Sequence, residues 1–248
     1  MVLLTIVSLF ENSDFTLGFG CTTLAVAAID GEKPPQEKKR LARFLSFIPC
    51  SAKLPTLIFI CTVILGWTAF GVIFLYVFSI FVGLILGGYK IIKKPRLKKL
   101  TLKQLAVVIF KNTLEFLKRI TGGVFIAATV LYTLNYFDFL LPICAFLEPL
   151  FVPIGLGSAA VIACLVFGLV AKEMIIGAIL TFGAANLGLT AASSVSFLLF
   201  VLFYTGCVSS IVAMRAKLGT GFAIRTAVLS FAVAYAISFI AYTVLVLF

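Results

Sequence analysis

Three cysteines stand where a helix is expected to break: Cys21 in "GFGCTTLAVAAID", Cys50 in "FIPCSAKLP" and Cys207 in "YTGCVSS". Each adjoins a glycine or proline, so the backbone can open there and aim both the sulfur and free carbonyls at a pathway. Thiolate favours softer transition metals over Mg2+ or Ca2+. One carboxylate, Glu173 in "GLVAKEMIIGAI", also lies within an apolar stretch. Three sulfurs and one carboxylate suit a transiently held, Fe(II)-like ion. Lys172 beside it and Glu148 in "CAFLEPLFVP" are the secondary candidates. A charge at the bilayer centre costs about 3 kcal/mol or more. Two compensations are open: a local ion pair around Lys172, or a cation-handling carboxylate at a midplane site. Cys61, Cys144 and Cys164 lie in ordinary apolar context and read as small core residues. The chain has no histidine, which removes imidazole ligands, Ser-His and Cys-His nucleophile pairs and histidine proton relays.

The elements that must position these residues are membrane helices. Of 248 residues, 62% are hydrophobic and 12% charged, where a soluble domain carries about 25% charged residues. The apolar runs approach the roughly 20 residues needed to cross a bilayer core. Transmembrane strands would show alternating segments of about 10 residues, and no such alternation occurs. Sixteen of the 20 Lys and Arg fall in residues 33–53 and 90–119, beside apolar runs. That is the positive-inside pattern of cytoplasmic loops, and it argues against nucleic acid as a partner. Membrane lipid is the expected partner, with anionic headgroups meeting the basic segments.

Along the chain, residues 1–17 are too short in apolar sequence to cross. Residues 54–89 are too long for one crossing and read as a helical hairpin, broken at "GWTAFG" (66–71), with its second arm at 69–89. Residues 90–119 read as a basic helix lying in the interface. A span at about 120–137 leads into residues 137–157, where three prolines and Glu148 mark a short or re-entrant segment. Further spans are expected at 158–183, 195–214 and 221–247. Counted this way, Arg215 and Lys217 fall on the outer side, against the charge rule.

The sequence also repeats itself loosely. "GFGCTTLAVAAI" followed by "FIPCSAKLP" parallels "GLVAKEMIIGAI" followed by "YTGCVSSIVAMR". Each pair is a glycine-rich entry with one reactive residue, then an apolar stretch, then an aromatic residue, a helix breaker, Cys and small polar residues. An inverted repeat of the kind found in secondary transporters places corresponding flanks on opposite faces, which accommodates Arg215 and Lys217.

These four stretches resemble, in order, the motifs of the two Gate segments of FeoB, the bacterial ferrous iron transporter family, from about residue 17 to the C-terminus. The resemblance implies an all-α polytopic membrane protein: a helix bundle with two Gate-type repeats containing broken or re-entrant helices. The first repeat would be 18–89 and the second 158–248, separated by 90–119 and 120–157. It implies Fe2+ as the transported ion, with no permanently bound cofactor, and a bacterial or archaeal cytoplasmic membrane. Cys21, Cys50 and Cys207 would line the path, with Glu173 beside them. The sequence departs from the family where "GCTTLA" replaces "GC-x-VPA" and Gly206 replaces the proline of the last motif. Nothing reads GxxxxGK[ST], so the chain is not expected to be an enzyme. GTP control would come from a separate G-domain protein, and an FeoA-like small protein or a homo-oligomer are further partners left open. Two rival readings stand beside this one: a Gate-type transporter of another, nucleoside-like solute, with dispensable cysteines, and a non-transporting fragment.

Overall fold

The computed structural model describes residues 21–29, 34–66, 69–87, 129–130, 132–134, 136–137, 139–183, 187–204 and 207–247. The expected N-terminal stretch 1–17, the interfacial helix 90–119 and nearly all of the span 120–137 lie outside them. Among the described residues every regular element is helical. The helices are α1 (Thr22–Ala28), α2 (Pro35–Phe47), α3 (Lys53–Phe59) continued by a π-turn (Ile60–Ile64), and α4 (Ala69–Gly87). After these come α5 (Leu140–Phe151) with a 3-10 turn (Val152–Ile154), α6 (Ala159–Val170) and α7 (Met174–Phe182). The chain closes with α8 (Ala191–Phe203), α9 (Val208–Leu218) and α10 (Thr220–Leu247).

Among the described residues, three apolar helical stretches are long enough to cross a membrane: 70–87, 220–247, and 191–218, which passes over the break between α8 and α9. A fourth is the pair 140–154 and 159–170, whose halves meet at 99°. The chain is a helical membrane protein. Its breaks follow from local chemistry. Gly66 adopts φ +64° at the expected interruption, and α4 then fills the expected second arm. The first arm is shorter than a hairpin requires. Seven residues of α3 and five of the π-turn rise only about 18 Å at 1.5 Å per residue, against a hydrocarbon core of about 30 Å. The hairpin is therefore a half-length arm joined to one full span.

The segment 158–183 is likewise two helices and not one span. Ala171 is extended, with φ −148° and ψ 134°, so the chain breaks at the charged pair Lys172-Glu173. Residues 140–157 form the bend anticipated from their prolines. Pro153 sits in the 3-10 turn and Gly155 ends it in the left-handed region at φ +75°. Glu148 reaches across this bend, its Oε1 accepting from the Ala159 N–H at 2.9 Å. It thus satisfies one of the four orphan donors at the start of α6.

Packing is organised by polar contacts between apolar helices, as expected where lipid offers no hydrophobic drive between them. Ser196 on α8 donates to the Ile154 carbonyl at 2.6 Å, and Ser238 on α10 donates to the Ser196 carbonyl at 3.1 Å. Ser79 on α4 donates to the Phe47 carbonyl at the end of α2. The main core joins α3, α4 and α5–α8, while a smaller one gathers Val26, Leu41, Phe44, Leu45 and Met214 from α1, α2 and α9. The contacts cross between the two segments read as repeats: α1 packs on α9, and α7 touches α3. Lys217 on α9 donates to the Ile29 carbonyl at the end of α1, 3.3 Å away. A cation at a helix C-terminus is favoured by the exposed carbonyls and the dipole there, which gives Lys217 a local reason to sit against the charge rule.

Candidate functional site

The six cysteines form two sets. Cys61, Cys144 and Cys164 are buried, whereas Cys21, Cys50 and Cys207 are half-buried. Cys21 is extended, with φ −145° and ψ 118°, and immediately precedes α1. Cys207 immediately precedes α9 with φ −55° and ψ 160°. Cys50 lies in the turn ahead of α3, its carbonyl accepting from the Lys53 N–H at 2.9 Å. Each of the three cysteines is therefore itself non-helical and stands at or just ahead of a helix entrance. Cys207 Sγ lies 3.1 Å from Ser209 Oγ, and Ser210 Oγ donates back to the Cys207 carbonyl at 2.9 Å. These bonds close the first turn of α9 around the sulfur.

At the break between α8 and α9 the structure places two lysines. Lys53 and Lys172 are each only 2% exposed. Lys53 Nζ, from α3, donates to the Leu202 carbonyl near the end of α8 at 2.7 Å. Lys172 Nζ lies 3.2 Å from the centroid of the Tyr204 ring, a cation-π contact of the kind that strengthens when desolvated. Thr56, one turn beyond Lys53, donates to the Lys172 carbonyl at 3.2 Å and ties α3 to the α6–α7 break. Lys53 also ties the two cysteine breaks together along the chain: its N–H is bonded to the Cys50 carbonyl, and its Nζ reaches Leu202, five residues before Cys207. Cys50 and Cys207 thus flank the elements that Lys53 joins, α3 and the end of α8, while α1, which follows Cys21, packs on α9, which follows Cys207.

Glu173 takes the opposite direction. It is exposed while the adjacent Lys172 is buried. Among the described residues no three Cys, Asp or Glu side chains are grouped closely enough to hold a metal ion together. Glu148 is occupied at the α5–α6 bend.

Sequence reasoning missed Lys53 and Tyr204. Lys53 was counted with the basic loop 33–53, whose other cations end at Arg43. Nine uncharged residues separate the two, a spacing that already detaches Lys53 from a solvated charge run. Tyr204 stands beside the "TGC" breaker and stacks on Phe200, ring centroids 5.5 Å apart, while its hydroxyl donates to the Leu165 carbonyl at 3.3 Å.

Tyr204 can reach this position because Gly168 on α6 has no side chain. A Cβ there would lie 2.3 Å from the Tyr204 hydroxyl and 2.6 Å from Ile175. With Phe200 stacked on the ring and the Lys172 ammonium over it, the tyrosine has little room to yield. Gly168→Ala is expected to cost about 1–3 kcal/mol as an overpacked core site. The unfolding midpoint of the purified protein in detergent measures this, and an unchanged midpoint would show that Tyr204 is not wedged.

Over 234 residues the chain is 26% identical to the Fe(2+) transporter FeoB of Staphylococcus aureus strain COL, covering 80% of this chain. The corresponding protein of strain MSSA476 is 25% identical over the same length. The chain spans 35% of the length of these curated relatives. The similarity is consistent with a FeoB-like membrane region. No family model matches the chain, and no solved structure matches it.

Proposed function

We propose that this chain is the membrane permease portion of a ferrous iron transporter of the bacterial or archaeal cytoplasmic membrane. One observation carries the reading: Cys50 and Cys207, far apart in sequence, both stand at helix breaks, and the buried Lys53 links the two breaks, its N–H on the Cys50 carbonyl and its Nζ on the Leu202 carbonyl near the end of α8. The likeness to proteins named as Fe(2+) transporters supports the choice of ion. The two Gate-type segments act as interlocked halves, α1 of the first against α9 of the second and α7 of the second against α3 of the first.

In this reading Fe2+ passes between the sulfurs of Cys50 and Cys207. Cys21, at the entrance of α1, is the third sulfur of the path, and the carboxylate of Glu173, at the α6–α7 break, compensates charge. Ligands are used as thiolates, so each ion bound releases protons. An ion that must leave cannot be held by a closed set of four strong donors, and a path with few ligands at each step keeps exchange fast.

The test is anaerobic uptake of labelled Fe(II) by cells that lack other iron importers and express this chain with and without a G-domain partner. Accumulation above the vector control is expected when the partner is present. No accumulation in either case, with the chain verified in the membrane, would overturn the reading.

A further inference from the structure

The position that a passing cation would favour is already held by a cation of the protein itself. Leu202 is the penultimate residue of α8, so its carbonyl is among the last four that find no partner inside the helix. The C-terminal end of a helix dipole attracts positive charge, and unwound carbonyls at such ends coordinate cations in broken-helix transporters. Lys53 reaches this carbonyl from a different element, α3, and places its Nζ at 2.7 Å while almost wholly buried. The same residue lies three positions after Cys50, with its N–H on the Cys50 carbonyl at 2.9 Å, and the carbonyl it reaches lies five positions before Cys207.

We propose that Lys53 is a tethered cation that fills the ion position at the α8 break when the path is empty, and withdraws when a divalent ion enters. The proposal rests on the reading of Cys50 and Cys207 as path ligands. A divalent ion between those sulfurs would bring two further positive charges into a neighbourhood that already holds Lys53 and Lys172, and repulsion in a poorly screened interior is strong. Lys53 is the group able to relieve it. Its ammonium is a compact charge on a flexible four-carbon stem, held to the carbonyl by one bond, whereas Lys172 lies over the Tyr204 ring. Ion entry and lysine withdrawal are then one exchange. The returning ammonium helps expel the ion and keeps the empty path closed to other small cations.

The experiment uses the full chain, purified without oxygen, as native protein, Lys53→Met and Lys53→Arg. Labelling of Cys207 by a cationic and by a neutral thiol reagent of similar size is followed by peptide mass spectrometry. Removing the buried cation should raise the cationic-to-neutral rate ratio about tenfold, the lower end of electrostatic focusing in clefts. Lys53→Arg, whose fixed fork grips the carbonyl more firmly, should leave the ratio at or below the native value. A ratio unchanged in Lys53→Met overturns the proposal. Should that variant fail to reach the membrane, a ratio in Lys53→Arg above the native value overturns it instead. Titration with Co(II), followed by its thiolate absorption band, separates this outcome from the underlying reading. Absence of the band in every protein would remove the sulfurs as metal ligands while the labelling ratio still reports on Lys53.

Discussion

Cys50→Ser and Cys207→Ser are each expected to abolish most Fe(II) uptake at equal membrane abundance. A hydroxyl is a harder and far weaker donor than a thiolate for a soft transition ion. Outer-shell changes at metal sites already cost about 10–100-fold, so loss of a direct donor should cost at least that much. Cys61, Cys144 and Cys164 provide the contrast, because all three are buried in packed helices. Serine there buries a hydroxyl at a cost of about 1–3 kcal/mol, which lowers the amount of folded protein but not the uptake per molecule. Uptake normalised to protein, measured for all five variants, tests the distinction. Equal losses in both sets would make the cysteines of the two breaks packing residues.

Among the described glycines, Gly155→Ala should be the most destabilising substitution, because two independent penalties coincide there. The residue sits at φ +75°, a left-handed conformation that costs a side-chain-bearing residue about 1–2 kcal/mol. A Cβ would also lie 2.2 Å from one ring carbon of Tyr242 and 2.5 Å from another, and overpacking of this kind adds about 1–3 kcal/mol. Tyr242→Ala removes the second penalty and leaves the first. In that background Gly155→Ala should therefore cost only the conformational term, a non-additivity of the kind that neighbouring sites show. Exposure of the buried thiols Cys144 and Cys164 during unfolding in detergent reads the four proteins of this cycle. Strict additivity would show that Tyr242 moves aside freely. The bend at stake is the 99° turn between the halves of the 140–170 pair, which carries α6 toward the Lys172 break.

How far the fold could be read in advance depends on whether a feature is local. Proline and glycine act on their own backbone, so the break at Gly66, the span that follows it and the bend around Pro149, Pro153 and Gly155 were legible. So was the separation of Cys21, Cys50 and Cys207 from the other three cysteines, since each adjoins a helix breaker. The break at Ala171 was not, because "GLVAKEMIIGAI" contains no proline and its glycines lie away from Ala171. That residue is extended where α3 meets the segment and Thr56 takes the Lys172 carbonyl. The half-length arm 53–64 was missed for a related reason. Hydropathy counts apolar residues, and a π-turn of apolar residues counts the same as a continuing helix.

By itself, then, the sequence determined that this is a helical membrane protein, with its helices interrupted at sulfur-bearing motifs. Apolar length and backbone permissiveness are properties of consecutive residues and need no partner. Only the tertiary structure decided which charges are inside. Lys53, at the edge of a basic loop, turns inward because the end of α8 offers it a carbonyl, while Glu173, in an apolar run, faces outward beside a buried Lys172. A charged side chain follows the compensation available to it, and for Lys53 that compensation comes from an element 149 residues away.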